Sequence, residues 1–252
     1  MAVNTISAAL AGLYGSSGTS STGSASATNP AAQAFQKADK RISQQREQAS
    51  VQLSAFGKLK SAYSGVQSAA GALDKLGAAS TAAEVRKAAS AFVTAYNGAI
   101  DAARSATGQQ GAPVEANRAR SAETDLRRSA TADEATTAAL RSIGIRQEAS
   151  GKLSIDNQVF EAALASNPDS VRTALGSVGR QVDAAATRQL ADSGNVGKAV
   201  NALSDRAKAL EARQTEQQRL TAAAQQTVES QSTQLNNAIN SGVAAYQRIF
   251  SL

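Results

Sequence analysis

Four arginines, at 118, 120, 127 and 128, stand in one helix-forming run and are the side chains of this sequence best able to hold a ligand. A guanidinium cluster of that kind could dock an anion through paired N–H donors. A solvated helix face carries the same residues without any ligand. Two Gly-Lys pairs, Gly151-Lys152 and Gly197-Lys198, hint at phosphate loops. Neither has the glycine five residues before the pair, and Leu153 and Ala199 stand where a Ser or Thr would reach Mg²⁺. Both pairs therefore read as turn glycines followed by solvated lysines. Asp133 and Glu134 are adjacent, so on a helix they point to different sides and cannot work as a facing carboxylate pair.

What is missing narrows the chemistry further. The sequence has no His and no Cys. That removes the most usual general base and metal ligand, together with thiolate sites and disulfides. No constellation supports an enzyme, and neither a cofactor nor a metal is expected.

The elements that could carry a non-enzymatic role are long helices. From Val196 to Leu252, Val196, Val200, Leu203, Ala207 and Leu210, then Val228, Leu235, Ile239, Val243, Tyr246 and Phe250, recur every three or four residues with no proline between. One helix of that length would run roughly 80 Å, too long for the core of a compact domain. Its middle is polar, with Gln214, Gln217 and Thr221 on the stripe. From Phe35 to Leu76 two heptad positions are equally legible. One reads Phe35, Ile42, Ala49, Phe56, Tyr63, Ala70; the other reads Ala38, Gln45, Gln52, Leu59, Val66, Leu73. Helices gain most of their stability by packing an apolar face. Two similar stripes near opposite ends of the chain therefore predict an antiparallel pair.

Between them a more globular piece is expected. Ala82 to Ala106 reads as a helix carrying Val85, Ala89, Phe92, Val93, Tyr96 and Ile100, and Ala116 to Ser129 as another. Ile143 and Ile145, then Leu153 and Ile155, alternate with polar residues around Ala149-Ser150-Gly151, the pattern of a small β-hairpin. Asp156 can N-cap a helix from Asn157 to Ala165 that turns Val159, Phe160 and Leu164 inward, and Asn167-Pro168-Asp169 opens one more turn, Ser170 to Leu175.

Composition agrees with an elongated, mainly α protein. Of 252 residues 42% are hydrophobic, but alanine inflates that figure and only 4% are aromatic, so a large core is not expected. The net charge of +6 is spread along the chain and not interleaved with aromatics, which argues against nucleic acid as a partner. No stretch approaches the ~20 apolar residues of a membrane span. Met1 to Gln36 carries no charged residue and includes a Ser/Gly tract from Gly15 to Ser24. It lacks the positive start of a signal peptide and suits a chain exported unfolded.

Several runs then resemble one family. Leu140 to Asp156, followed by Phe160-Glu-Ala-Ala-Leu164 and Asn167-Pro-Asp-Ser-Val171, resembles the hairpin and helix of the flagellar filament-capping family (FliD, flagellar hook-associated proteins). Phe92-Val-Thr-Ala-Tyr-Asn97 and Leu53-Ser-Ala-Phe-Gly-Lys-Leu-Lys-Ser61 resemble two of its helices, and Tyr246 to Leu252 its aromatic, apolar ending. The resemblance implies a structural axial protein that caps the filament tip and promotes flagellin polymerisation, secreted by the flagellar type III route. Its partners would be copies of itself in a homo-oligomer, flagellin, other hook-associated proteins and an export chaperone. The outer β domains of the family are missing, since Leu76 is followed almost at once by Ala88 to Asn97. A shortened non-capping paralogue, or a tip or hook–filament junction protein of coiled-coil type, is the competing reading.

The expected organisation is a flexible N-terminal segment at 1–34 with a short terminal helix, a coiled-coil leg from 35–76 and 196–252, and a small α+β head at 77–195. The expected assembly interface combines Val3, Ile6, Leu10 and Leu13 with Ile239, Val243, Tyr246, Phe250 and Leu252.

Overall fold

The computed structural model describes residues 30–108 and 113–250, with side chains over 33–108 and 113–247. Among the described residues seven helices and one two-stranded sheet follow in the order α1 (Pro30–Asp74), α2 (Ala82–Thr107), α3 (Pro113–Ala130), α4 (Glu134–Ser142), β1 (Ile145–Gln147), β2 (Leu153–Ile155), α5 (Asn157–Ser166), α6 (Pro168–Leu190) and α7 (Asn195–Phe250). The expected hairpin is present and antiparallel, with Ile145 opposite Ile155 and Gln147 opposite Leu153.

The chain divides into two compact units. The first takes in residues 46–209, a wider span than a head at 77–195. The reason lies in its core. Phe56, Leu59, Tyr63 and Leu73 of α1, and Val196, Ala199 and Leu203 of α7, are buried together with α2, α3 and α6. Within this unit α2 packs along α3, and α3 along α6. On the other flank α1 runs antiparallel to α6: Gln67 Nε2 donates to Thr187 Oγ1 at 2.8 Å, and Arg180 pairs with Asp74 at 2.7 Å. The hairpin lies between helices, β2 against α2 and β1 against α4.

Local sequence explains where each helix begins. Thr81 and Glu84 form a reciprocal capping box on α2. Asp133 caps α4 and Asp156 caps α5, accepting from Gln158 and Val159 N–H as expected. Asn167 caps α6 with Pro168 at its first position. Two expectations need correcting, and one helix lies in a stretch the sequence left unassigned. The single turn at Ser170–Leu175 is the start of a 23-residue helix, whose buried face runs on through Val178, Val182 and Ala186. Helix α4 was not anticipated; Leu140 is its one large buried apolar side chain, too few for a periodicity to show. Val159 is 40% exposed, while Phe160 and Leu164 are buried as expected.

Several carboxylates in this unit are held below their ordinary range. The Thr81 N–H lowers Glu84, the Arg86 side chain lowers Glu161, and the Thr136 N–H lowers Asp133. Each folded value lies below the unfolded one, so the stabilisation is complete above the ordinary carboxyl value and is lost as pH falls through the folded one. Through these carboxylates the thermal midpoint should be flat from the ordinary Glu value of 4.5 up to neutral pH and fall on further acidification. Thermal melts across acid buffers measure this.

In the second unit, residues 30–45 of α1 and 210–250 of α7 are described. Phe35, Ala38, Ile42 and Gln45 are half-buried on α1. On α7, Leu210 is buried and Gln214, Gln217, Thr221 and Ala224 are half-buried. Both sets follow the alternating three- and four-residue spacing of a heptad seam.

Candidate assembly surfaces

The hairpin needs its glycines. Gly144 has φ +78°, and a Cβ there would stand 2.9 Å from both Asp156 O and the Val159 Cβ. Its carbonyl accepts the Asp156 N–H at 2.8 Å, which sets the residue that caps α5. Gly151, φ +81°, closes the connection 149–151, donating to Glu148 O at 2.7 Å while Glu148 N–H donates to Lys152 O at 2.8 Å. A left-handed glycine at this position suits a three-residue hairpin connection.

Helix α2 fastens the hairpin through its polar residues. Asn97 Nδ2 donates to Leu153 O at 2.9 Å, and Asn97 Oδ1 accepts the Leu153 N–H at 2.8 Å. The side-chain amide thus pairs with β2 as a neighbouring strand would. On the preceding residue, Tyr96 Oη accepts from Gln147 Nε2 at 3.0 Å and donates to Leu126 O at 3.4 Å. The same Gln147 amide donates to Arg127 O at 3.1 Å. Burial pushes the Tyr96 phenol up to about 12, so it stays a neutral donor. These residues hold hairpin, α2 and α3 together. Asn97→Ala would leave both Leu153 backbone groups unpaired at a part-buried position and should cost about 2 kcal/mol, read as a lower urea midpoint at unchanged slope.

The C-terminal part of α7 is a different kind of surface. From 225 to 247 every residue is exposed, yet the apolar stripe continues: Val228 is 50% exposed, Leu235 63%, Ile239 53%, Val243 51% and Tyr246 64%. Phe250 is the last residue of α7. Val3, Ile6, Leu10, Leu13 and Leu252 lie outside the described residues.

The arginine cluster is split by the fold. Arg118 lies 3.8 Å from Glu115, one turn back on α3. Arg127 packs beneath Gly151, its Nε buried without a hydrogen-bond partner among the described residues. Arg120 and Arg128 are exposed and line a groove of about 860 Å³, where Arg188 of α6 joins them. Arg188 was outside any element assigned from sequence. The two Gly-Lys pairs are not in the groove: Lys152 pairs with Asp101 at 2.8 Å, and Lys198 lies in the first turn of α7.

Among the described residues no helix is long and apolar enough to cross a membrane. No curated protein and no solved structure matches the chain. The family model for the C-terminus of flagellar hook-associated protein 2 matches residues 68–251, well over half of the 252. Asn97, Gly144, Gly151 and Asp156, whose contacts build and fasten the hairpin, all fall inside that span, and the chain belongs to the flagellar hook-associated protein 2 (FliD) family of structural flagellar proteins.

Proposed function

We propose that the protein caps the tip of the flagellar filament as a homo-oligomer and promotes polymerisation of flagellin there. The observation that carries this reading is the solvent-exposed apolar stripe of Val228, Leu235, Ile239 and Val243 on α7, in a chain of the hook-associated family. A regular apolar seam on a charge-poor helix face fits burial against other axial subunits better than solvent. In the same reading α1 and α7 pair antiparallel as a coiled-coil leg. Val3, Ile6, Leu10 and Leu13 cover part of the seam formed by Ile239, Val243, Tyr246, Phe250 and Leu252. Export as an unfolded chain by the flagellar type III route, with a chaperone, belongs to the same proposal.

The short connection 75–81 between α1 and α2 favours one alternative, a shortened paralogue that does not cap. Deleting the protein separates the two. If the protein is the cap, its loss leaves flagellin secreted into the medium but poorly polymerised; filaments of normal length and number in the deletion strain would overturn the capping role.

A further inference from the structure

We propose that the groove between α3 and the α6–α7 junction is a docking site for an acidic helical segment of a partner protein. It joins residues far apart in the sequence: Arg120, Ser121, Thr124 and Arg128 on one wall, Arg188 and Ser193 on the other. Three arginines and one carboxylate, Asp125, line it: Asp125 stands 3.7 Å from Arg188 and accepts from Gln189 Nε2 at 3.0 Å, while Arg120 donates to Asn117 Oδ1 one turn back on α3. The lining is thus net positive. The positive end of the α7 dipole adds to it, because Gly194 and Asn195 also line the groove.

The floor is held in place. Gln189, only 7% exposed, donates to Asp125 on α3 and accepts the Asn195 N–H at 3.2 Å at the start of α7. Gln189 is therefore a positioning residue that ties the two walls together.

Spacing chooses the ligand. Arg120 and Arg128 are ~12 Å apart along the α3 axis, with Asp125 between them. A single phosphate or carboxylate at the middle of the groove meets the Asp125 carboxylate, which repels it. Two carboxylates one heptad apart on a helix, ~10.5 Å, span the pair with an uncharged stretch over Asp125. Arg–carboxylate pairs give register and on-rate through their fork geometry and long-range attraction.

The test uses the full chain and a fluorescein-labelled Ala-rich 21-residue helical peptide with two Glu pairs spaced one heptad apart. Arg120 and Arg128 are exposed, so Arg120→Gln with Arg128→Gln should fold normally, checked by an unchanged thermal melt. The control, Lys58→Gln with Lys60→Gln, removes the same charge from an exposed part of α1 outside the groove. We expect salt-sensitive binding that falls at least tenfold in the arginine double variant and less than twofold in the lysine control. Equal losses in the two variants, or no binding by the parent chain, would overturn the site. So would equal competition by a peptide with all its Glu at one end, by inorganic phosphate, or by a single-stranded oligonucleotide, because the groove would then be an unselective basic surface.

Discussion

Phe92→Ala should cost about 3–5 kcal/mol, the range for deleting a fully buried aromatic ring. Phe92 is 0% exposed on α2 and stacks obliquely on Tyr96, ring centres 6.0 Å apart. Only 4% of the chain is aromatic, so few other rings can shift into the space. About a third of the buried cluster is alanine, including Ala89, Ala99, Ala119 and Ala122, whose short side chains cannot collapse into a ring-sized cavity. Domains of this size are usually stable by only about 5–15 kcal/mol. The variant should therefore lose a large part of its urea midpoint, and the hairpin fastened by Tyr96 and Asn97 should lose protection from hydrogen exchange with it. Phe92→Leu, which fills most of the volume, should cost clearly less. A loss below about 1 kcal/mol for Phe92→Ala would mean the core repacks and would contradict the cavity argument.

Cutting the chain after Ala238 should have the opposite profile. The removed stretch carries Ile239, Val243, Tyr246 and Phe250, and Val243 and Tyr246 are 51% and 64% exposed. None of the removed residues belongs to the buried core of the 46–209 unit. The thermal midpoint of that unit should stay nearly unchanged. Docking to filament or hook ends should disappear, because each large side chain buried in an assembly contributes about 1.5–3 kcal/mol and the seam would lose four. Val243→Asp with Tyr246→Asp should reproduce the defect in a chain of full length. Sedimentation with purified filament ends, alongside a melt, reads both effects. A truncated chain that still docks would remove this seam as the docking element, and a large fall in the melt would show it belongs to the folded core.

The hairpin illustrates why some motifs could be read early. Alternation of Ile143, Ile145, Leu153 and Ile155 around Gly151 is a period-two signal carried by the residues themselves, and Asp156, next after Ile155, caps the helix that starts at Asn157. The role of Asn97 was invisible in the same way that its helix was visible. Its periodic neighbours Phe92 and Tyr96 mark the buried face, but Asn97 has meaning only because Leu153, 56 residues away, lies beside it.

The sequence by itself determined the helical class, the two long heptad stripes, the hairpin and the absence of His and Cys chemistry, because each depends on residues within a turn or two of one another. Tertiary structure alone decided three other things. It drew the upper parts of α1 and α7 into the core of the 46–209 unit, where Phe56, Tyr63 and Leu203 meet α2, α3 and α6. It left the stripe of α7 bare beyond Ala224, although the spacing of Val228, Leu235 and Ile239 resembles that of the covered part. It also split a run of arginines, leaving Arg118 and Arg127 half-buried and Arg120 and Arg128 exposed on a groove whose floor is set by Gln189 against Asp125 from 64 positions away. Periodicity states which face of a helix is apolar; what covers that face, and what stands opposite it, follows from long-range packing that no local spacing encodes.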